Sequence, residues 1–243
     1  MTATTASPGT EVEKGPSAFF KTRLGSLLAV FPLALWTANH LWQNLAAFRG
    51  AAAWEEAVTH HPSPLAEALG AVVALGPLLV HAVWGLARLF QWRPNVGSYT
   101  YYGNMKFILQ RVSAVGVLLF LLAHVYLAWL RPHVVEGHGE EFEDLAREMF
   151  TSGDGPTLVV YLLGTLGVAY HLANGLQTWA VGWGLVRSRM ALRKFEFMSL
   201  ATFALLLAMS WGAIYGLYSA GREIVAKEHA AQAAPNADSP PSP

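Results

Sequence analysis

Four histidines, His40, His81, His124 and His171, each sit inside a long apolar stretch of this chain. A neutral imidazole has one donor and one acceptor nitrogen, and hydrocarbon satisfies neither. Ionisable groups in such a setting are therefore candidates for function. His171 makes the strongest case. It lies in the run Tyr170-His171-Leu172-Ala173-Asn174-Gly175-Leu176, within a segment from Pro156 to Val186 that is free of charge until Arg187. Gly164, Gly167, Ala173 and Gly175 fall on or near its helical face and leave room beside it for something broad and flat.

The elements that carry these residues follow from hydropathy. The chain has 243 residues, 53% hydrophobic and 13% charged, with nine tryptophans, which is far more apolar than a soluble domain of this size. Five spans of membrane length are expected, at about Leu24 to Phe48, Leu65 to Phe90, Phe107 to Leu130, Pro156 to Val186 and Phe195 to Ala220. The fold class expected is all-α, a single integral membrane bundle over residues 19–221. Disordered tails are expected over 1–18 and 222–243. Pro32 and Pro77 are candidate kinks in the first and second spans. Ala51 to Pro64 reads as an interfacial loop or short surface helix. Arg131 to Gly155 reads as an acidic loop with a short amphipathic helix over Glu140 to Phe150, and Arg187 to Lys194 as a short basic link. Tyr99, Tyr101 and Tyr102 suit a membrane–water interface. Met1 to Ser17 lacks the basic-then-apolar order of a cleaved signal, so the first span is expected to direct insertion.

Five spans put the termini on opposite sides. Of the 16 Lys and Arg, eleven fall on the N-terminal side and five on the other. The positive-inside rule then places the N-terminus in the cytoplasm and the C-terminus outside.

Depth decides which histidines can share a ligand. At about 1.5 Å per residue, His40 is roughly 14 Å in from Arg49 and His124 roughly 10 Å in from Arg131. By the same rise, His171 is roughly 22 Å from Pro156 and His81 roughly 26 Å from Pro64. The chain thus offers an outer pair, His40 with His124, and an inner pair, His81 with His171. Two bis-histidine levels in a bundle suit two b-type haems. Zinc fits less well, because two histidines per level supply too few ligands. With no cysteine, disulfides, zinc–thiolate and iron–sulfur ligation within the chain are excluded. Arg23, Arg88, Arg111 and Arg187, near the inner helix ends, are candidates to neutralise haem propionates, with Ser26 and Gln110 as further donors. His60, His61, His133, His138 and His229 fall in loops or the tail and read as solvated.

At these residues the sequence resembles the single-polypeptide, dihaem cytochrome b anchor subunits of succinate:quinone oxidoreductases, that is, succinate dehydrogenase or fumarate reductase. The resemblance covers roughly Phe19 to Tyr218. It rests on Arg23-Leu24-Gly25-Ser26-Leu27-Leu28 followed by Pro32 and His40-Leu41, on Pro77-Leu78 and His81-Ala82-Val83-Trp84-Gly85, on Leu109-Gln110-Arg111-Val112 leading to His124-Val125, and on His171 with Asn174-Gly175-Leu176. All four of the family's ligand positions hold histidine. The resemblance implies two haem b groups, a quinone substrate, usually menaquinone, near the outer surface, and docking of a flavoprotein and an iron–sulfur subunit on the cytoplasmic face of a bacterial inner membrane. Glu55, Glu56, His60 and Glu67 are the outer-side candidates for handling quinol protons. Some fumarate reductase relatives carry a glutamate two residues before the fourth-span histidine, where this chain has Ala169. The lipid bilayer is a further partner, a higher-order oligomer of the complex is left open, and nucleic acid is not expected.

Two other classes compete. Cytochrome b subunits of membrane hydrogenases and formate dehydrogenases also hold two haems, but tend to place two ligand histidines on one helix. A metal or proton transporter would need carboxylates inside the bundle, and every Asp and Glu here falls outside the expected spans or at their ends.

Overall fold

A computed structural model describes residues 23–59, 63–90, 101–139, 141–151 and 156–233 of the chain. Helix α1 (Arg23–Arg49) leads through a glycine turn to the short α2 (Ala51–Val58). There follow α3 (Pro64–Phe90), α4 (Tyr102–Glu136), the short α5 (Phe142–Thr151), α6 (Thr157–Gly182) and α7 (Arg189–Ala233). Among the described residues the five long helices are each apolar and long enough to cross a membrane. Their outward faces carry Leu35, Val72, Leu79, Val83, Leu122, Leu163 and Leu200, all exposed. That much contiguous apolar surface requires a lipid solvent.

The centre of the bundle is α6. Small and polar side chains at Gly164, Thr165, Ala169, Ala173, Asn174, Gln177 and Ala180 are buried. Their three- and four-residue spacing lets α4 and α7 approach α6 closely. Gly164 is such an approach point, because a Cβ there would overlap the Phe120 ring. Helix α3 packs mainly on α1 through residues 29–33 and only lightly on α4, which leaves a cavity between α1, α3, α4 and α6. Pro32 sits in a widened π-type turn at Ala29–Leu33. A residue without an N–H accounts for this local loosening. Helix α3 runs unbroken through Pro77.

The short helices α2 and α5 close one end of the bundle, here termed the cap end. Fully buried Trp54 and Met149 pack there with Phe142, Ala146, Ile214 and Leu217. Trp54 Nε1 donates to Asn44 Oδ1 at 3.2 Å, and Asn44 Nδ2 donates to the His40 carbonyl at 2.9 Å. The opposite end, with Arg23, Arg88, Lys106 and Arg189, is the basic end. Removing a fully buried aromatic side chain costs about 3–5 kcal/mol, so Trp54→Ala is expected to loosen the cap. Thermal unfolding in detergent checks this, with a fall of the midpoint as the expected outcome.

Helices α4 and α7 extend beyond the sequence reading at both ends. Helix α4 begins at Tyr102 and runs on through a π-type turn, Tyr126–Glu136, so Arg131 is helical. Helix α7 absorbs most of the expected basic link, beginning at Arg189. It also continues through Arg222 to Ala233, where a disordered tail is expected. The residues past Arg222 are mostly good helix formers. Ile224 packs on the cap cluster, and Arg147 Nη2 meets Glu228 Oε1 at 2.7 Å. Residues 1–22, the loop tyrosine Tyr99, and residues 234–243 lie outside the described part.

Candidate functional site

Helices α1 and α4 each deliver a histidine about two to three turns from the cap end, and α3 and α6 each deliver one a similar distance from the basic end. Across the cavity the His40 and His124 ring centroids are 5.9 Å apart, and those of His81 and His171 are 6.1 Å apart. The ring planes in the two pairs meet at 72° and 70°. Two imidazoles trans on one metal have centroids about 6 Å apart, given metal–nitrogen bonds of about 2 Å and a centroid about 1 Å behind each nitrogen. Both pairs meet that condition.

In three of the four histidines the remaining ring nitrogen meets a partner outside the pair. His81 Nδ1 lies 2.9 Å from the Gly25 carbonyl. A carbonyl only accepts, so the proton is on Nδ1 and Nε2 presents a lone pair. Gly25 permits this contact because α1 approaches α3 so closely that a Cβ would overlap the Trp84 indole. His171 Nδ1 is 3.3 Å from Ser113 Oγ and 3.2 Å from Gln110 Nε2. Gln110 Nε2 donates to the His171 carbonyl at 3.1 Å, and Gln110 Oε1 accepts from Asn174 Nδ2 at 2.8 Å, which fixes the amide orientation. Ser113 Oγ donates to the Gln110 carbonyl at 3.0 Å. For a ring that ligates through Nε2, the Nδ1 proton therefore goes to the Ser113 oxygen. His124 Nδ1 lies 3.1 Å from Tyr161 Oη and stacks on Phe120 at 5.6 Å, the ring for which Gly164 makes room. His40 stacks on Trp36 at 4.9 Å and 7°. Outer partners that fix ring orientation and tautomer are a regular feature of histidine ligands.

The cavity holding both pairs has a volume of about 2410 Å³. That exceeds by more than twofold the roughly 1,000 Å³ at the top of the usual range for a single small-molecule site. Its walls are mainly apolar, and Ala169, buried on α6, is part of them. Among the described residues no group of three or more His, Cys, Asp or Glu is placed to hold a metal ion. The donor set is two imidazoles per level around a broad apolar slot, which fits an iron carried in a planar macrocycle.

The other expected site residues divide. Arg23, Arg88, Arg111, Ser26 and Gln110 line the cavity. Arg88 lies over the Trp84 ring and Arg111 over Phe107, while Ser26 Oγ accepts from Trp183 Nε1 at 3.4 Å. Gln110 lies against His171 itself. Arg187 is not part of the lining; it is exposed, and its Nε donates to the Gly184 carbonyl at 3.0 Å. Glu55 and Glu56 are on α2 at the cap end without reaching the cavity wall. Glu67 is in the first turn of α3, and His60 lies outside the described residues. A Cβ added at Gly167 or Gly175 would meet Val117 or Gln110 of α4 at ordinary contact distance.

Sequence reasoning missed Ser113, Tyr161 and the Gly25 carbonyl. Ser113 is three residues after Gln110 on the same helix, a spacing that signals a shared face. A backbone carbonyl leaves no such signal.

Fold and site together define an integral membrane helical bundle with two opposed histidine pairs. Residues 91–209 match the model of the succinate dehydrogenase/fumarate reductase transmembrane subunit family. The chain is also 32% identical over 203 residues to the succinate dehydrogenase cytochrome b558 subunit of Bacillus subtilis (strain 168), an alignment covering 83% of this chain and 98% of that relative. The chain belongs to the succinate dehydrogenase/fumarate reductase transmembrane subunit family.

Proposed function

We propose that this chain is the cytochrome b anchor of a succinate dehydrogenase. In this reading it seats a flavoprotein and an iron–sulfur subunit on its basic end and passes electrons through two b haems to a quinone, menaquinone, at the cap end. The observation that carries the proposal is the pair of cross-bundle histidine contacts, at 5.9 and 6.1 Å. His81 and His171 would hold the haem nearer the partner subunits, and His40 and His124 the one nearer the cap. When bound, haem at these levels would supply reversible one-electron transfer. Ser113, Tyr161 and the Gly25 carbonyl orient the ligand rings. The apolar walls would keep water from both levels, and Arg23, Arg88 and Arg111, which line the cavity, would offset propionate charge. Glu55, Glu56, His60 and Glu67 remain the candidates for quinol protons.

Membership of the family also admits the reverse direction, fumarate reduction. An affinity-tagged copy is expected to co-purify with a covalent-flavin subunit and an iron–sulfur subunit. Recovery with hydrogenase or formate dehydrogenase subunits would replace this reading by the competing one.

The histidine supports give a finer expectation. An acceptor on Nδ1 makes the imidazole a stronger donor to iron and favours the oxidised state. Ser113→Ala is therefore expected to raise the midpoint potential of the His81/His171 haem alone, and Ser113→Thr to restore it. A potentiometric titration followed in the visible bands reads both.

A further inference from the structure

The cavity's charge is lopsided. Arg23, Arg88, Lys106 and Arg111 line it, all toward the basic end, and Glu196 is the one carboxylate among the described lining residues. Glu196 is on the second turn of α7, a helix that the sequence reading starts only at about Phe195. Lys106, on the first turns of α4, reaches across to it. Lys106 Nζ donates to Gln177 Oε1 at 2.8 Å, lies 3.4 Å from Glu196 Oε1 and sits over the Tyr102 ring at 4.9 Å.

The ion pair is part-exposed, with the Glu196 side chain at 41%. The Lys106 side chain is 22% exposed, and Gln177 is buried at 7%. An ammonium in an apolar wall is costly unless its protons are used. Here one proton goes to a neutral amide and one to a long ion pair. Gln177 is six residues past His171 on α6, roughly 9 Å along the axis. Lys106 is thus held between the inner histidine pair and the basic end, on the cavity wall, with capacity for another anionic acceptor.

We propose that Lys106 and Glu196 form a charge pair that acts on the prosthetic group held by His81 and His171. Lys106 binds a carboxylate of that group, while Glu196 and Gln177 hold the ammonium in place and Glu196 offsets its charge. The inference rests on the haem reading above. It adds two residues, one of them acidic, that the arginine-based expectation does not contain.

The test is a redox titration of the purified protein, of three variants of the pair and of His171→Leu as the reference, with haem content measured on each. Removing a cation beside a redox centre disfavours its reduced state, and removing an anion does the opposite. Lys106→Gln is expected to lower the midpoint potential of one haem component, the one that His171→Leu lacks. Glu196→Gln is expected to raise the same component, and Lys106→Arg to leave it near its starting value. The His40/His124 component is expected to stay in place throughout. Loss of only the His81/His171 haem from Lys106→Gln, with retention in Lys106→Arg, would equally support an anchoring role. Equal shifts of both components, shifts of the same sign in Lys106→Gln and Glu196→Gln, no shift, or loss of both haems in all three variants would overturn the proposal. Absence of haem from the unaltered protein would instead overturn the reading on which it rests.

Discussion

His171→Leu is expected to abolish one of two haem signals and to spare the other. A b-type iron held by two imidazoles loses its low-spin character when either is removed. Leucine fills the vacated volume without offering a ligand, so helix packing has little reason to change. His81→Leu is expected to give the same loss, and His40→Leu or His124→Leu to remove the other signal. The pairing makes a stronger demand than the single losses. His81 and His171 face each other at 6.1 Å and belong to one site, so the double variant His81→Leu with His171→Leu is expected to lose no more than either single variant. His81→Leu combined with His40→Leu is expected to lose everything. The amplitude of the reduced-minus-oxidised spectrum per protein reads all of these. A double variant within one pair that loses both signals would mean that the pairs are not separate sites.

Succinate-dependent menaquinone reduction in intact vesicles is expected to collapse on addition of an uncoupler. Succinate oxidation by an artificial acceptor at the flavoprotein is not. The argument begins with the separation of the two pairs along the bundle and with the proposed orientation, in which the basic end faces the cytoplasm. If electrons enter at the basic end and a low-potential quinone is reduced at the cap end, negative charge moves outward. At a potential negative inside, this is favoured by up to about 2.3 kcal/mol per charge per 100 mV for a full crossing. Two electrons per succinate would gain roughly twice that, enough to drive an otherwise uphill reduction. A proton route alongside would cancel the gain. Among the described residues the cavity wall has a single carboxylate, Glu196, and it sits at the basic end. Position 169, between the levels, is a buried alanine. Equal insensitivity of both activities to the uncoupler would show that the quinone is reduced at the basic end, or that protons travel with the electrons.

The histidine pairing was legible because a helix converts residue count into depth at a fixed rise. Four histidines on four helices then have only one depth-matched arrangement, and the side-chain geometry agrees with it. Spans were legible for the same reason: apolar runs of sufficient length admit little else. What supports the histidines was not legible, since Tyr161 is an ordinary aromatic in an apolar run and Gly25 contributes its backbone. The extent of α7 was lost because an Ala-rich polar segment after a span reads alike as solvated helix or as coil. The packing of Ile224 and the reach of Arg147 to Glu228 decide the matter, and both depend on α5, some 80 residues earlier in the chain. Sequence position alone groups Arg187 with the other basic-end arginines. The turn at Gly184, where φ is 74°, instead sets its side chain against the helix end.

The most direct test of the account is the haem-to-protein ratio of the purified chain, taken from a dithionite-reduced minus oxidised spectrum against a quantitative protein assay. Two b haems per chain is the predicted result. One haem per chain, or none, would contradict it.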